Sequence, residues 1–185
     1  MTRLIIKWPP SAAPVLRPCI VSEFPGHSAG TRERHSMTVT VERIDPMSDV
    51  GRTLFEGSSN EQIARYGRDG GRKLEALADP NVVFVAALLN GTPVGCGSVV
   101  PLEGDTGELS RIYVAAEARR NGVGRAILAA LEAEARSRYK RLVLETGTEQ
   151  EESMHLYAAT GYRPIPCWGK SADNPRSRCY EKMLI

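Results

Sequence analysis

At 185 residues, 42% hydrophobic and 25% charged, the chain has the length and composition of one globular domain with its own core. Its formal net charge of +2, with acidic and basic residues interleaved, lacks the basic face of a nucleic-acid binder and any strong attraction to an anionic membrane. Four cysteines without a CxxC pair and three scattered histidines give no metal-ligand spacing, which excludes a zinc module. With no cleavable signal and no apolar run near the ~20 residues of a membrane span, the expectation is a cytoplasmic protein with free thiols and no nucleic-acid, membrane or metal partner.

Residues 1–36 hold five of the twelve prolines and no sustained period, which predicts a loosely attached arm ahead of a domain at 37–185. Leu4 to Trp8 offers the arm a short hydrophobic contact, and Met37 is a second candidate start of translation. Thr38 to Ile44 alternates as a strand and stops at Asp45-Pro46. Ser48 to Phe55 and Asn60 to Ala78 read as helical, interrupted by Gly57 and by the glycine-rich 67–71, a flexible lid or an ordinary surface loop. Val82 to Leu89 and Thr92 to Val100 flank Asn90-Gly91, a type I′ hairpin signal.

Glu108 to Val114 reads as a strand in which Glu108, Ser110, Ile112 and Val114 face one way and Leu109, Arg111 and Tyr113 the other. A basic glycine turn follows, Arg119-Arg120-Asn121-Gly122-Val123-Gly124, at the mouth of a helix from about Gly122 to Arg138. Free backbone N–H groups and the positive end of the helix dipole favour an anion there, and glycine lets the backbone approach it closely. The helix presents Val123, Ile127, Ala130, Leu131 and Ala135 on one face, with Glu132 and Arg136, and Glu134 and Arg138, as exposed pairs four apart. A second strand spans Arg141 to Thr146. The turn has neither GxxxxGK[ST] nor the third glycine of GxGxxG, so triphosphate and dinucleotide readings lose their motif.

Further on, Thr148-Glu149-Gln150-Glu151 has capping-box spacing for a helix to Thr160, with Gly161 placed as its C-terminal cap and Tyr157 in its last turn. Arg163 to Ile165 and Arg178 to Leu184 complete the strands. Cys96 and Cys179 fall in strands as small core residues, and without a neighbouring base neither suits a nucleophile.

Arg119, Gly122 and Gly124 match [QR]-x-x-G-x-[GA], and Leu156 to Tyr162 matches LYxxxG[FY]; together these resemble the GNAT superfamily of N-acetyltransferases, over roughly Val39 to Leu184. The resemblance implies an α/β domain with a mixed, largely antiparallel central sheet flanked by helices. It implies acetyl-CoA as co-substrate, without a metal. Its diphosphate would lie on Arg119, Arg120, Asn121, Gly122, Val123, Gly124 and Arg125, and its pantetheine arm on the main chain of Ile112, Tyr113 and Val114. Gln150 stands where the family often has an asparagine contacting that arm. Main-chain donors beside the thioester could also stabilise an oxyanion.

The same resemblance implies direct acetyl transfer to an amine, whose ammonium form, of pKa about 10, has no lone pair with which to attack. Glu108 occupies the position of a glutamate general base in some members; the alternative is a carboxylate ion-paired with Arg111 or Arg141. Tyr157 occupies the position of the general acid that protonates the leaving thiolate, and the alternative is simple packing. Trp168 and Asp173, in the connection bordering the acceptor pocket, could bind a cationic or aromatic amine, or serve as a plug and a loop carboxylate. The expected acceptor is a small-molecule primary amine: an amino acid, a polyamine or an amino-bearing toxin. A protein N-terminus or lysine is the second enzymatic reading, and a non-catalytic acyl-CoA-binding module the reading of another class. A homodimer is common among such proteins.

Overall fold

The computed structural model describes residues 37–184; the proline-rich arm, its Leu4 to Trp8 contact and any role for Met37 as a start lie outside that range or beyond what it addresses. Seven strands form one sheet in the order β1-β2-β3-β4-β5-β7-β6. They are β1 (Val39–Arg43), β2 (Val83–Leu89), β3 (Thr92–Pro101), β4 (Thr106–Val114), β5 (Arg141–Gly147), β6 (Arg163–Ile165) and β7 (Ser177–Met183). Every neighbouring pair is antiparallel except β4 with β5, which gives the mixed, largely antiparallel sheet expected. At the β2–β3 hairpin, Asn90 (φ 52°) and Gly91 (φ 82°) both adopt the left-handed conformation that a type I′ turn requires.

Both faces of the sheet are covered, so β2 reads as a continuous apolar run whose alternate residues enter different cores. Phe84 and Ala86 join Leu54, Leu77 and Cys96 beneath α1 (Asp49–Tyr66) and α2 (Leu74–Leu77). Val83, Val85 and Ala87 join Ile127, Leu131, Leu144 and Tyr157 beneath α3 (Val123–Ala135) and α4 (Glu151–Ala159). Each fully buried side chain such as Ile127 or Leu131 contributes about 1.5–3 kcal/mol.

Several elements differ from expectation, each for a tertiary reason. Helix α1 runs unbroken through Gly57, because the residue is small to admit the Tyr113 ring: an added Cβ would sit 2.8 Å from the Tyr113 hydroxyl. Ser48 caps the helix by accepting from the Gly51 N–H at 3.1 Å, and Gly67 closes it. Helix α4 starts after Gln150 without a side-chain cap, since the Thr148 N–H is drawn away to the Arg176 carbonyl at 2.9 Å. Its other end is as expected: the Tyr162 N–H reaches the Tyr157 carbonyl and the Gly161 N–H reaches Ala158, the paired bonds of a Schellman motif.

On α3, Leu128 is buried in addition to most of the expected stripe. Glu132 is not in an exposed pair but buried, accepting from the Tyr162 hydroxyl at 3.1 Å and from Lys182 at 2.7 Å. Glu134 and Arg138 form no ion pair; the Arg138 guanidinium instead lies over the Tyr139 ring. The expectation of free thiols fails for two cysteines. Antiparallel pairing sets Ile165 against Cys179, so Cys167, two residues on, has its Cα 5.2 Å from that of Cys179 and the two form a disulfide. Cys96 is a free thiol in the core, pushed up to about 12 by burial, which removes it as a nucleophile at neutral pH.

Candidate active site

The site begins where β4 and β5 part. Their parallel ladder holds only Thr106 with Arg141, Gly107 with Leu142 and Glu108 with Val143, whereas β5 continues against β7 to Gly147. From Leu109 to Val114 the edge of β4 toward β5 therefore has no strand partner among the described residues. A β-bulge accompanies the parting: Ser98 pairs with Ser110 and Cys96 with Tyr113, so Arg111 and Ile112 together oppose Gly97, and Arg111 takes φ 57°.

The bulge overturns the simple alternation expected of this strand. Leu109, Ile112 and Val114 pack on the α3 face, while Tyr113 packs on the α1 face and the Arg111 side chain reaches the residues that follow α1. Arg111 is held in its unusual backbone conformation by its side chain, which is fully buried. Its guanidinium pairs with Asp69 at 2.8 Å, donates to the Arg72 carbonyl at 3.0 Å and to Ser59 at 3.2 Å, and lies 4.4 Å from the centre of the Phe55 ring. The 67–71 segment is thus fastened to β4, with the Gly71 N–H bonded to Asp69 at 3.0 Å. Burial alone would raise the Asp69 pKa; the bonds from Arg111, Ser59 and Gly71 outweigh it and hold the carboxyl below its usual range.

A cavity of about 520 Å³ occupies the parting. Its walls are β4 from Glu108 to Ile112, β5 from Glu145 to Gly147, the α1–α2 loop and the β6–β7 loop, together with Gln150 and Tyr157. Glu108 lies on this wall, ion-paired with Arg72 rather than with Arg111 or Arg141. Tyr157 is 5% exposed and packs edge-on to Tyr162 with ring centres 5.9 Å apart, but its hydroxyl has no hydrogen bond to a described residue. Burial, then the neighbouring Tyr180, keeps the Tyr157 phenol above its ordinary pKa, so it carries its proton through neutral and mildly alkaline pH. Gln150 is positioned by the Thr146 hydroxyl, which donates to its Oε1 at 2.6 Å.

The glycine turn lies outside the cavity wall, at the start of α3. Gly122 (φ 78°) turns the chain into the helix without a side-chain cap, and the N–H groups of Val123, Gly124 and Arg125 have no acceptor among the described residues. No atom of the described residues stands within 4 Å of where a Gly122 side chain would begin, which leaves the approach to those donors open on that side. Arg120 and Arg125 are exposed and form no ion pair with a described residue. Arg119 is turned inward, bonded to the Val114 carbonyl at 3.0 Å and to Glu61 at 2.7 Å; Asn121 donates to the Ala118 and Arg119 carbonyls. Glu61 also pairs with Arg65, which reaches Glu152 in the first turn of α4, so a chain of charges runs from the turn across α1 to α4.

The fold therefore brings Glu108, Ile112, Gln150 and Tyr157 to one cavity and leaves the turn beside it. Tyr113 turns its ring away toward Gly57. Trp168 and Asp173 do not line the cavity; Lys170, Ser171, Asn174 and Arg176 of the same connection do. Sequence reasoning missed the roles of Arg111 and Arg72. The one signal for Arg111 was an arginine set inside a largely apolar strand, Leu109 to Val114.

The fold is thus a mixed sheet parted between its two parallel strands, with a helix N-terminus that has no side-chain cap at the head of α3. The chain belongs to the GNAT acetyltransferase family, whose model matches residues 51–162, and it is an acyltransferase. It is 33% identical over 150 residues to "IAA acetyltransferase" from Azospirillum brasilense, a match covering 79% of this chain and 98% of that protein. Among solved structures it is similar to a candidate acyl-CoA N-acyltransferase from Klebsiella pneumoniae, with a TM-score of 0.68, 30% identity and coverage of 80% and 98%. A GNAT family acetyltransferase from Elizabethkingia anophelis, solved with acetyl-CoA bound, shares the fold at a TM-score of 0.57 and 20% identity, over 79% of this chain and 98% of that one. No helix among the described residues is long and apolar enough to cross a membrane.

Proposed function

We propose that this enzyme transfers the acetyl group of acetyl-CoA directly to a primary amine of a small molecule. The observation that carries the reading is the parting of β4 from β5, which sets Glu108 and Tyr157 on the wall of one cavity beside unpartnered main chain. The residues fit an acyl-CoA. The open N–H groups from Gly122 to Arg125 suit a diphosphate, and Arg120 and Arg125 suit the remaining phosphate charge. The edge of β4 at Ile112 and Val114, without a strand partner among the described residues and with only the Val114 carbonyl engaged by Arg119, suits an extended amide-bearing arm added as a strand, with Gln150 alongside. Arg119 shapes the turn through Val114 and Glu61 instead of reaching outward.

Bound acetyl-CoA supplies the activated acyl thioester. Glu108 accepts the proton of the acceptor ammonium, directly or through water, and Arg72 fixes the orientation of its carboxylate. Tyr157, whose phenol stays protonated and without a hydrogen-bonding partner, donates a proton to the departing sulfur. Walls contributed by two loops, one fastened by Arg111 and the other by the Cys167–Cys179 disulfide, suit a small acceptor better than the open groove a peptide needs. Thiol release from acetyl-CoA across a panel of small amines and peptides, with calorimetric titration of acetyl-CoA alongside, tests the proposal. Acetylation of small amines is the expected result. Turnover on peptides alone would transfer the assignment to a protein acetyltransferase, and tight binding without turnover would leave a binding module.

A further inference from the structure

We infer that the acceptor amine carries a carboxylate, recognised by Lys170 and Arg68; this deepens the acceptor reading above and rests on it. Five cationic residues line the cavity, Arg68, Arg72, Arg111, Lys170 and Arg176, against two carboxylates, Glu108 and Glu145. Three of the cations are already matched: Arg72 with Glu108, Arg111 with Asp69, and Arg176 with Glu149. Of the carboxylates, Glu108 is neutralised by Arg72 and Glu145 accepts from the Ser177 hydroxyl at 2.6 Å. Arg68 and Lys170 have no carboxylate partner among the described residues. They stand on the two loops that wall the cavity, the segment after α1 and the segment before β7.

Against Arg68 and Lys170 stands one carboxylate without a cationic partner among the described residues, Glu145, so the cavity keeps a net positive charge, which raises the local concentration of anions and opposes entry of a polycation. A polyamine or a polyamino sugar would place additional ammonium groups beside Lys170 and Arg68. An amino carboxylate cancels that net charge and leaves its amine for Glu108. The coenzyme's phosphates are the other anions available. Their turn lies outside the cavity wall and has exposed arginines of its own in Arg120 and Arg125, so Lys170 and Arg68 are free for the acceptor.

The test uses the whole enzyme with acetyl-CoA and acceptors that differ in charge but share an amine: an amino acid, its carboxamide, and spermidine. The amino acid is expected to exceed its carboxamide by about tenfold or more in kcat/KM, the worth of one charged hydrogen bond. Lys170→Glu and Arg68→Glu are each expected to remove that preference by raising KM for the amino acid, with acetyl-CoA affinity in calorimetry unchanged. Preference for the carboxamide or spermidine, or a preference the charge reversals leave intact, overturns the inference while the amine acetyltransferase stands. A loss of acetyl-CoA affinity in either variant also overturns it, because the two cations would then serve the coenzyme. Acetylation of no amine, with acetyl-CoA still bound, overturns both readings together.

Discussion

The turn at the head of α3 and the wall of the cavity beside α1 are two surfaces built from different materials. The turn is main chain: unshared N–H groups after Gly122, set by the dihedral angles of a few consecutive residues. The cavity wall is side chain: Glu108, Arg72, Tyr157, Arg68 and Lys170 come from four separate segments of the sequence, and are held by the Arg111 cluster and the Cys167–Cys179 bond. A main-chain site survives most substitutions except those that change the backbone or fill the approach. A side-chain site fails whenever its supports are removed, even supports that touch no ligand.

The largest effect is expected at such a support. Arg111→Ala leaves Asp69 without its counter-ion and removes the cation above Phe55, and should cost about 3 kcal/mol in urea unfolding, within the range for breaking a buried pair. Acceptor turnover should fall with it while acetyl-CoA affinity in the remaining folded protein changes little. Equal losses on both sides would abolish the distinction between the two surfaces. The converse change is Gly122→Asp, which introduces a carboxylate at the open N–H groups in a left-handed position and should weaken acetyl-CoA about a hundredfold in calorimetry. The cavity wall should be untouched and the thermal midpoint should move little. Tyr157→Phe sharpens the comparison from within the wall, lowering kcat about a hundredfold at constant acetyl-CoA affinity. An unchanged kcat would remove Tyr157 from the chemistry.

Legibility in the sequence follows the same division. The turn, the Asn90-Gly91 hairpin and the cap at Gly161 are local, each fixed by residues within a few positions, so spacing alone located them. The bulge at Arg111 is not local, since its backbone angle is fixed by Ser59, Asp69 and Arg72, all far upstream in the chain. The same holds for Glu132, whose spacing from Arg136 suggested a surface pair until Lys182 arrived from β7, and for Cys167, which meets Cys179 only once β6 and β7 are in register. Gly57 looked like an interruption because its use is steric and its neighbour, Tyr113, belongs to another element. Glu108 and Tyr157 were singled out through the family resemblance, whereas Arg68 and Lys170, which line the same cavity, were not, because no motif spaces them.

The smallest effect expected is a dependence on pH seated in the same support as the largest. The folded-state pKa of Asp69 is depressed below its unfolded value, so the native state binds its proton less readily and the carboxylate contributes stability. That contribution is complete above the ordinary carboxylate value of about 4 and is lost as pH falls below it through the folded-state pKa. Urea midpoints at pH 7 and pH 3 should therefore show wild type more stable than Asp69→Asn at pH 7, with the difference narrowing at pH 3, where the unfolded chain's carboxyl takes up its proton. Arg111 retains its bonds to the Arg72 carbonyl and to Ser59 at either pH, so the gap should narrow without the loop detaching. A gap that stays constant would mean that Asp69 fastens the loop by shape and by its bond from Gly71. The cavity wall would then owe its order to hydrogen bonds that do not titrate, and would resemble the main-chain turn more closely than its side-chain construction suggests.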